Sequence, residues 1–167
     1  MGQDIVTGAS VEISVEVTGT PPQIWDLVTD VTRIGEWSPE CVGGQWLDGA
    51  TGAAVGARFR GRNKRGLARW SNKPRVVVAD RGREFAFVAP DLLGRDMTRW
   101  TYRFEPANDG TDVVESFEFL AALPLFVRLA ERYMMGVRDR KADLEAGMRN
   151  TLLQMKAATE NEGKAAV

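Results

Sequence analysis

Few residues in this 167-residue chain could carry catalytic chemistry, because it contains no histidine and a single cysteine, Cys41. Serine-histidine and cysteine-histidine catalysis, histidine-ligated zinc and an intramolecular disulfide are therefore excluded. Cys41 has no histidine to act as its base, so we expect no catalytic role for its thiol. The sequence also lacks metal-ligand spacings and a phosphate-binding loop, and we predict no cofactor and no metal.

The remaining candidates are polar residues inside predicted strands. In segment 57–64, arginine or lysine occupies every second position, which turns Phe59, Gly61 and Asn63 toward the interior. The same alternation places the following residues on the inner face of later strands: Trp70, Asn72, Phe85, Phe87, Trp100, Tyr102, Glu115 and Phe117. The sequence thus predicts an apolar inner face that carries four polar groups, those of Asn63, Asn72, Tyr102 and Glu115.

Glu115 is the most informative of these groups. A buried carboxylate without partners costs several kcal/mol or takes up a proton, so we expect a hydrogen bond from Asn63, Trp100 or Tyr102. One interpretation makes Glu115 and Tyr102 a polar anchor, or a general acid and base, for a ligand hydroxyl or carbonyl. The other makes them a self-satisfied network, or places Glu115 near a strand end that reaches solvent.

The elements that must position these residues follow from periodicity. Segment 11–17 alternates as a strand, and two short helical segments follow it at 21–29 and 31–36. Further strands are predicted at 45–47, 57–64, 68–79, 84–89, 98–105 and 112–120, and a helical period begins after Pro124. This order predicts an α+β fold: a curved antiparallel sheet of about six to seven strands around a long C-terminal helix, with two short helices after the first strand.

Four segments carry a resemblance to a known family: PQIWDLVTD (22–30), EWSPE (36–40), GARFRGRN (56–63) and TRWTY (98–102). With them the chain resembles the START-like, or SRPBCC, superfamily with its helix-grip fold, and more closely its polyketide cyclase/dehydrase branch, over residues 11–155. The resemblance implies a bacterial protein with a deep pocket between sheet and helix for an apolar or aromatic small molecule. It implies no particular reaction.

In this family the segment that contains Trp37 and Glu40 lies at the pocket rim. Trp37 is therefore expected either to cap the entrance or to pack on the sheet edge, and Glu40 is a further candidate polar contact. On the long helix, Met134, Leu144 and Met148 are expected to face the cavity, although ordinary core packing is the better explanation for either methionine taken singly.

Charge is segregated along a chain whose net charge is only −1. Segment 57–103 holds thirteen Lys and Arg against four Asp and Glu. Eight of these cations are expected on the outer face of three neighbouring strands: Arg58, Arg60, Arg62, Arg69, Lys73, Arg75, Arg99 and Arg103. That face is either simply solvated or binds an anionic membrane, an acidic protein or nucleic acid. The lack of aromatic residues on it argues against nucleic acid.

The sequence is therefore compatible with three functions. The first is binding of a small hydrophobic or aromatic molecule, lipid-like or polyketide-like, as a carrier or sensor. The second is an enzyme, a polyketide cyclase or dehydratase that uses Glu115 and Tyr102. The third is an interaction module that works through the arginine-rich sheet face.

The sequence also predicts how the chain is organised. We expect a single START-like domain over residues 1–167, with a core at 11–155 and flexible ends. Because no secretory signal and no membrane-spanning segment are evident, we expect a cytoplasmic protein, monomeric or homodimeric.

Overall fold

The computed structural model describes residues 10–91, 93–121 and 139–165, and within them it contains eight strands, two α-helices and one 3-10 helix. In chain order these are β1 (Ser10–Val17), α1 (Pro21–Thr29), the 3-10 helix (Val31–Glu36), β2 (Cys41–Trp46), β3 (Phe59–Arg65), β4 (Ala68–Asn72), β5 (Arg75–Asp80), β6 (Glu84–Pro90), β7 (Asp96–Pro106), β8 (Thr111–Phe119) and α2 (Arg140–Ala165). The predicted α+β helix-grip fold is confirmed, including the two short helices after the first strand.

The strands form two antiparallel sheets. One has five strands in the order β1-β8-β7-β6-β5, and the other has three in the order β2-β3-β4. The sheets are joined near Pro74, where the backbone N–H of Phe59 donates to the carbonyl of Pro74 (3.1 Å) and that of Val76 donates to the carbonyl of Ala57 (2.8 Å). The described residues thus hold eight strands, one more than the upper end of the predicted range.

The additional strand arises at Pro74. Segment 68–79, predicted as one strand, is divided into β4, which pairs with β3, and β5, which pairs with β6. Proline has no N–H to give to a strand ladder, so the chain leaves one sheet there and joins the other. The prediction that the eight cations share three neighbouring strands is therefore wrong. Arg58 and Lys73 lie just outside the strands, the other six are divided between the two sheets, and β6 separates β5 from β7.

Helix α1 is fixed at its start and along one side. The backbone N–H of Thr20 donates to Oε1 of Gln23 (2.9 Å), which caps the helix, and Pro21 occupies its first turn. Trp25 is buried, and its Nε1–H donates to the carbonyl of Glu84 (3.2 Å) on β6. These contacts hold α1 against the larger sheet.

Helix α2 packs against β1 and closes the interior. Its buried residues Met148, Leu152 and Met155 follow the helical period, and the helix continues to Ala165, beyond the expected end of the core at 155. No helix within the described ranges is both long enough and apolar enough to span a membrane. Met134, predicted to face the cavity, lies outside the described residues.

Gly44 gives a direct test of this packing. It lies in β2 against the 3-10 helix, and a Cβ at this position would overlap the carbonyl oxygen of Val31. We expect Gly44→Ala to lower the free energy of unfolding by about 1–3 kcal/mol, as overpacking does. Gly52→Ala is the matched control, because a Cβ there meets open space, and it should change the value by less than about 0.5 kcal/mol. Urea denaturation measures both, and equal effects would contradict the placement of β2.

Candidate functional site

A cavity of about 480 Å³ lies between the inner faces of the strands and α2. Ten of the fourteen predicted ligand-contacting residues line it: Glu40, Phe59, Asn63, Asn72, Phe87, Trp100, Tyr102, Glu115, Leu144 and Met148. Its size lies within the range of about 300–1,000 Å³ that is typical of small-molecule pockets. The alternation of charged and apolar residues therefore predicts the strand residues of the cavity wall, whereas Glu40, Leu144 and Met148 are predicted from the family resemblance and from the long helix.

Strand register sets the order of side chains on this wall. Tyr102 on β7 lies directly opposite Glu115 on β8, and Trp100 lies between Phe87 on β6 and Phe117 on β8. Directly opposed side chains in antiparallel strands have Cβ atoms about 4.5–5.5 Å apart. The register therefore brings the acid and the phenol into contact beside a row of aromatic rings.

Glu115 and Tyr102 form a buried hydrogen-bonded pair. The Tyr102 hydroxyl donates to Oε1 of Glu115 (2.6 Å), and only 2% of Glu115 is exposed. Burial raises the pKa of Glu115 from its ordinary value of 4.5 to about 8, against the smaller lowering effect of the Tyr102 hydrogen bond. Burial, and then the neighbouring Glu115 carboxyl, raise the pKa of Tyr102 well above its usual value. Both side chains are therefore protonated at neutral pH.

Two polar atoms in the cavity wall have no hydrogen-bond partner among the described residues. They are Oε2 of Glu115 and Nδ2 of Asn63, and both atoms are buried. Because Oε1 of Glu115 accepts from Tyr102, the carboxyl proton belongs on Oε2, which makes that oxygen a donor. The amide of Asn63 is a second donor. Leaving a buried polar group unpaired costs about 1–3 kcal/mol, so both groups favour an acceptor in the cavity.

Gly61 makes room for further polar groups on the three-stranded sheet. A Cβ at Gly61 would lie 2.7 Å from Oδ1 of Asn72 and 3.6 Å from Sγ of Cys41, so only glycine permits this close approach. Burial raises the pKa of the Cys41 thiol, which keeps it protonated and weakly nucleophilic. Cys41 therefore lines the cavity as a small, half-buried side chain.

One face of α2 forms the opposite wall. Leu144, Gly147, Met148 and Thr151 line the cavity at helical spacing, and the Thr151 hydroxyl donates to the carbonyl of Gly147 (3.0 Å). A Cβ on Gly147 would meet nothing within 4 Å. The missing side chain at Gly147 thus leaves part of the cavity unfilled.

An ion-pair cluster lies where the cavity lining is partly exposed. Arg65, the last residue of β3, donates through both of its terminal nitrogens to the carboxylate of Asp143 on α2 (2.6 and 2.5 Å). It also donates to Oε1 of Glu40 (2.8 Å), and these contacts raise the pKa of Arg65. The cluster ties the end of β3 to the first turn of α2 and to the segment before β2.

Three predicted contacts do not line the cavity. Trp37 is 3% exposed and packs in the main core, with the Arg33 guanidinium over its ring (5.6 Å), so it packs rather than caps. Trp70 lies on the edge strand β4, one strand beyond Asn63, and is half-buried there. Phe117 is covered by Trp100, Phe119 and Met148 in a second apolar cluster.

The sequence analysis missed several lining residues, among them Ile34, Ser38, Cys41, Arg65, Asp143 and Thr151. The helical period could have identified Thr151, which follows the expected contact Met148 by three positions. Arg65 lies just beyond the strand predicted at 57–64, and its partner Asp143 lies 78 residues away. No local pattern predicts that ion pair.

Comparison with known proteins settles the family. The family described as "Polyketide cyclase / dehydrase and lipid transport" matches residues 8–157. The chain belongs to this polyketide cyclase/dehydrase and lipid transport family. This confirms the resemblance to the SRPBCC superfamily. A search of curated proteins gives no match.

Solved structures of bacterial proteins agree with this assignment. A polyketide-cyclase-like protein from Corynebacterium glutamicum is 31% identical, with 95% of each chain covered and a TM-score of 0.62. An AHSA1-like protein from Aeromonas hydrophila is 19% identical, covers 93% of this chain and 94% of its own, and has a TM-score of 0.62. A protein from Chromobacterium violaceum is 15% identical over 90% of this chain and 96% of its own, with a TM-score of 0.64. The last two share the fold alone.

The raised pKa of Glu115 predicts a pH-dependent stability. Because the folded protein keeps this proton up to about pH 8, whereas the unfolded carboxyl releases it near 4.5, the stabilisation is complete below pH 4.5 and is lost as the pH rises toward 8. Relative to Glu115→Gln, the free energy of unfolding should fall by about 1.4 kcal/mol per pH unit within this window.

Urea unfolding of both proteins between pH 5 and 8 measures this difference. Glutamine keeps an acceptor for Tyr102 and cannot ionise, so it serves as the matched reference. Parallel pH profiles for the two proteins would show that Glu115 is ionised in the folded state.

Proposed function

We propose that this protein binds a small, largely apolar molecule in the cavity, as a carrier or sensor. The observation that carries the proposal is a cavity of about 480 Å³ whose lining residues Glu115 and Asn63 each hold a buried polar atom, Oε2 and Nδ2, without a hydrogen-bond partner among the described residues. The family's description includes lipid transport, which supports a hydrophobic ligand.

The apolar side chains of the cavity wall indicate that most of the ligand is apolar. The apolar part of the wall consists of aromatic and aliphatic side chains, among which Phe59, Phe87 and Trp100 from the sheets face Leu144 and Met148 from α2. Burial of apolar ligand surface against such a wall contributes about 25 cal/mol for each Å² removed from water. Methionine adapts its shape to different partners, so the α2 wall suits a range of ligands.

The polar atoms define the ligand's functional group. The neutral Glu115 carboxyl and the Asn63 amide are both donors, and together they fit an oxygen that accepts hydrogen bonds. A carbonyl or hydroxyl group on an otherwise apolar molecule meets this requirement. An anionic group meets it less well, because neither of the two donors carries a positive charge that would offset the cost of burying an anion.

Filling the cavity at Gly147 tests the proposal. We expect Gly147→Phe to lower the affinity for an uncharged apolar fluorescent probe such as Nile red by about tenfold or more, a loss of at least about 1.4 kcal/mol. Native mass spectrometry of the gently purified wild-type protein should show an added small-molecule mass that the Gly147→Phe protein lacks.

Gly147→Ala is the matched control. It should keep the affinity for the probe and raise the free energy of unfolding by about 1 kcal/mol, because alanine favours the helix over glycine. If Gly147→Phe binds the probe as tightly as the wild type, the cavity is not the binding site. If the wild type binds no apolar molecule at all, the proposal fails outright.

The second candidate is an enzyme of the cyclase or dehydratase type, and the raised pKa of Glu115 favours it. A neutral carboxyl next to a ligand carbonyl could donate its proton to the carbonyl oxygen, while Tyr102 stabilises the resulting carboxylate. Product analysis of the bound molecule separates the candidates. An enzyme loses turnover but keeps binding in Glu115→Gln, whereas a carrier shows no conversion in the wild type.

Three expectations from the sequence remain predictions. They are a single domain over residues 1–167, a monomeric or homodimeric state, and a location in the bacterial cytoplasm.

A further inference from the structure

Five exposed cations cluster on the outer side of the three-stranded sheet, and we call this surface the basic face. Its members are Arg60, Arg62 and Lys64 on β3, Arg69 on β4, and Lys73 directly after β4. None of the five forms an ion pair with a described residue, whereas on the five-stranded sheet Arg75, Arg99 and Arg103 pair with Asp96, Glu84 and Glu12. Uncompensated positive charge is therefore confined to one sheet.

The basic face is also costly for folding. Lys64 and Arg69 lie directly opposite each other on neighbouring strands, and like charges in that position destabilise a sheet. Segment 49–79 contains eight Lys and Arg and no Asp or Glu. A simply solvated face gains nothing from this arrangement, so the concentration of charge indicates an anionic partner.

An apolar residue projects from the same hairpin. Leu67 lies in the turn between β3 and β4, is fully exposed, and stands between Lys64 and Arg69 in the chain. The turn places Leu67 beyond the end of the sheet, and both strands that the turn connects, β3 and β4, carry cations. Such a combination fits a lipid surface, where phosphates meet the cations and the leucine enters the apolar layer.

We propose that the basic face and Leu67 dock this protein onto an anionic lipid membrane. Nucleic acid fits less well, because the only aromatic residue of β4, Trp70, lies on the side opposite to Arg69 and offers no base-stacking surface. An acidic protein would neutralise the cations but would leave Leu67 without a role.

The position of the cavity adds to this proposal. Arg65 is the last residue of β3, next to the exposed turn, and it takes part in the ion-pair cluster with Glu40 and Asp143 at the exposed part of the cavity lining. Docking of the hairpin therefore brings that part of the cavity to the lipid surface. This last step rests on the proposed function, whereas docking itself does not.

Vesicle sedimentation with the full chain tests docking without any cavity ligand. We expect binding to phosphatidylcholine vesicles that contain phosphatidylglycerol, and none to pure phosphatidylcholine.

The triple variant Arg62→Gln/Lys64→Gln/Arg69→Gln should lose about a hundredfold in affinity, at about fivefold for each cation. Leu67→Ser should lose about tenfold. Raising the salt from about 0.1 M to about 1 M should weaken binding, because the Debye length falls from about 10 to 3 Å.

Matched controls separate a local effect from net charge. The triple variant Arg75→Gln/Arg99→Gln/Arg103→Gln removes the same charge from the five-stranded sheet, and Leu93→Ser alters another exposed leucine; both should bind like the wild type. Absent vesicle binding, or equal losses in the two triple variants, would overturn the proposal. Tighter binding to a DNA duplex than to anionic vesicles, lost in the same basic-face variants, would also overturn it.

Discussion

The hydrogen bond between Tyr102 and Glu115 is the interaction on which the chemistry of this interior depends. A carboxylate buried to this degree without a cationic partner is too costly, so Glu115 keeps its proton and its pKa rises to about 8. Tyr102 occupies one carboxyl oxygen because the register of β7 and β8 places the two residues opposite each other. The other oxygen, Oε2, is thereby left as a buried donor without a partner among the described residues, on a side chain that lines the cavity. A polar site inside an apolar wall follows from a single cross-strand pair.

The cavity itself depends on glycines at two positions in its wall and on the division of the strands into two sheets. Gly147 leaves space on the α2 wall, and Gly61 on β3 lets the side chain of Asn72 lie close against the strand. Pro74 ends one sheet and begins the other, so the inner faces of two sheets, rather than one, surround the cavity. The ion pairs of Arg65 then connect the smaller sheet to α2. Protein interiors are normally close-packed, which makes a cavity of about 480 Å³ a specific feature of this fold.

Alternating patterns predict which strand residues face the cavity because burying a cation is very unfavourable. The arginines of a strand must therefore face solvent, and the residues between them must face inward. This is why Phe59, Asn63, Tyr102 and Glu115 were placed correctly from the residues alone. The same rule could not tell a lining residue from a packed one, and Phe117 faces inward but is covered by its neighbours. Contacts such as Arg65 with Asp143 depend on how distant elements meet, which no local period records.

The proposed site depends on a Glu115 side chain that is un-ionised in a hollow interior at neutral pH. Carbon-13 NMR of the side-chain carboxyl measures this directly, and the signal that disappears in Glu115→Gln assigns the resonance. We expect a titration midpoint near 8 in the folded protein. A midpoint near the ordinary glutamate value of about 4.3 would show a solvated or ion-paired carboxylate and would contradict the proposed site.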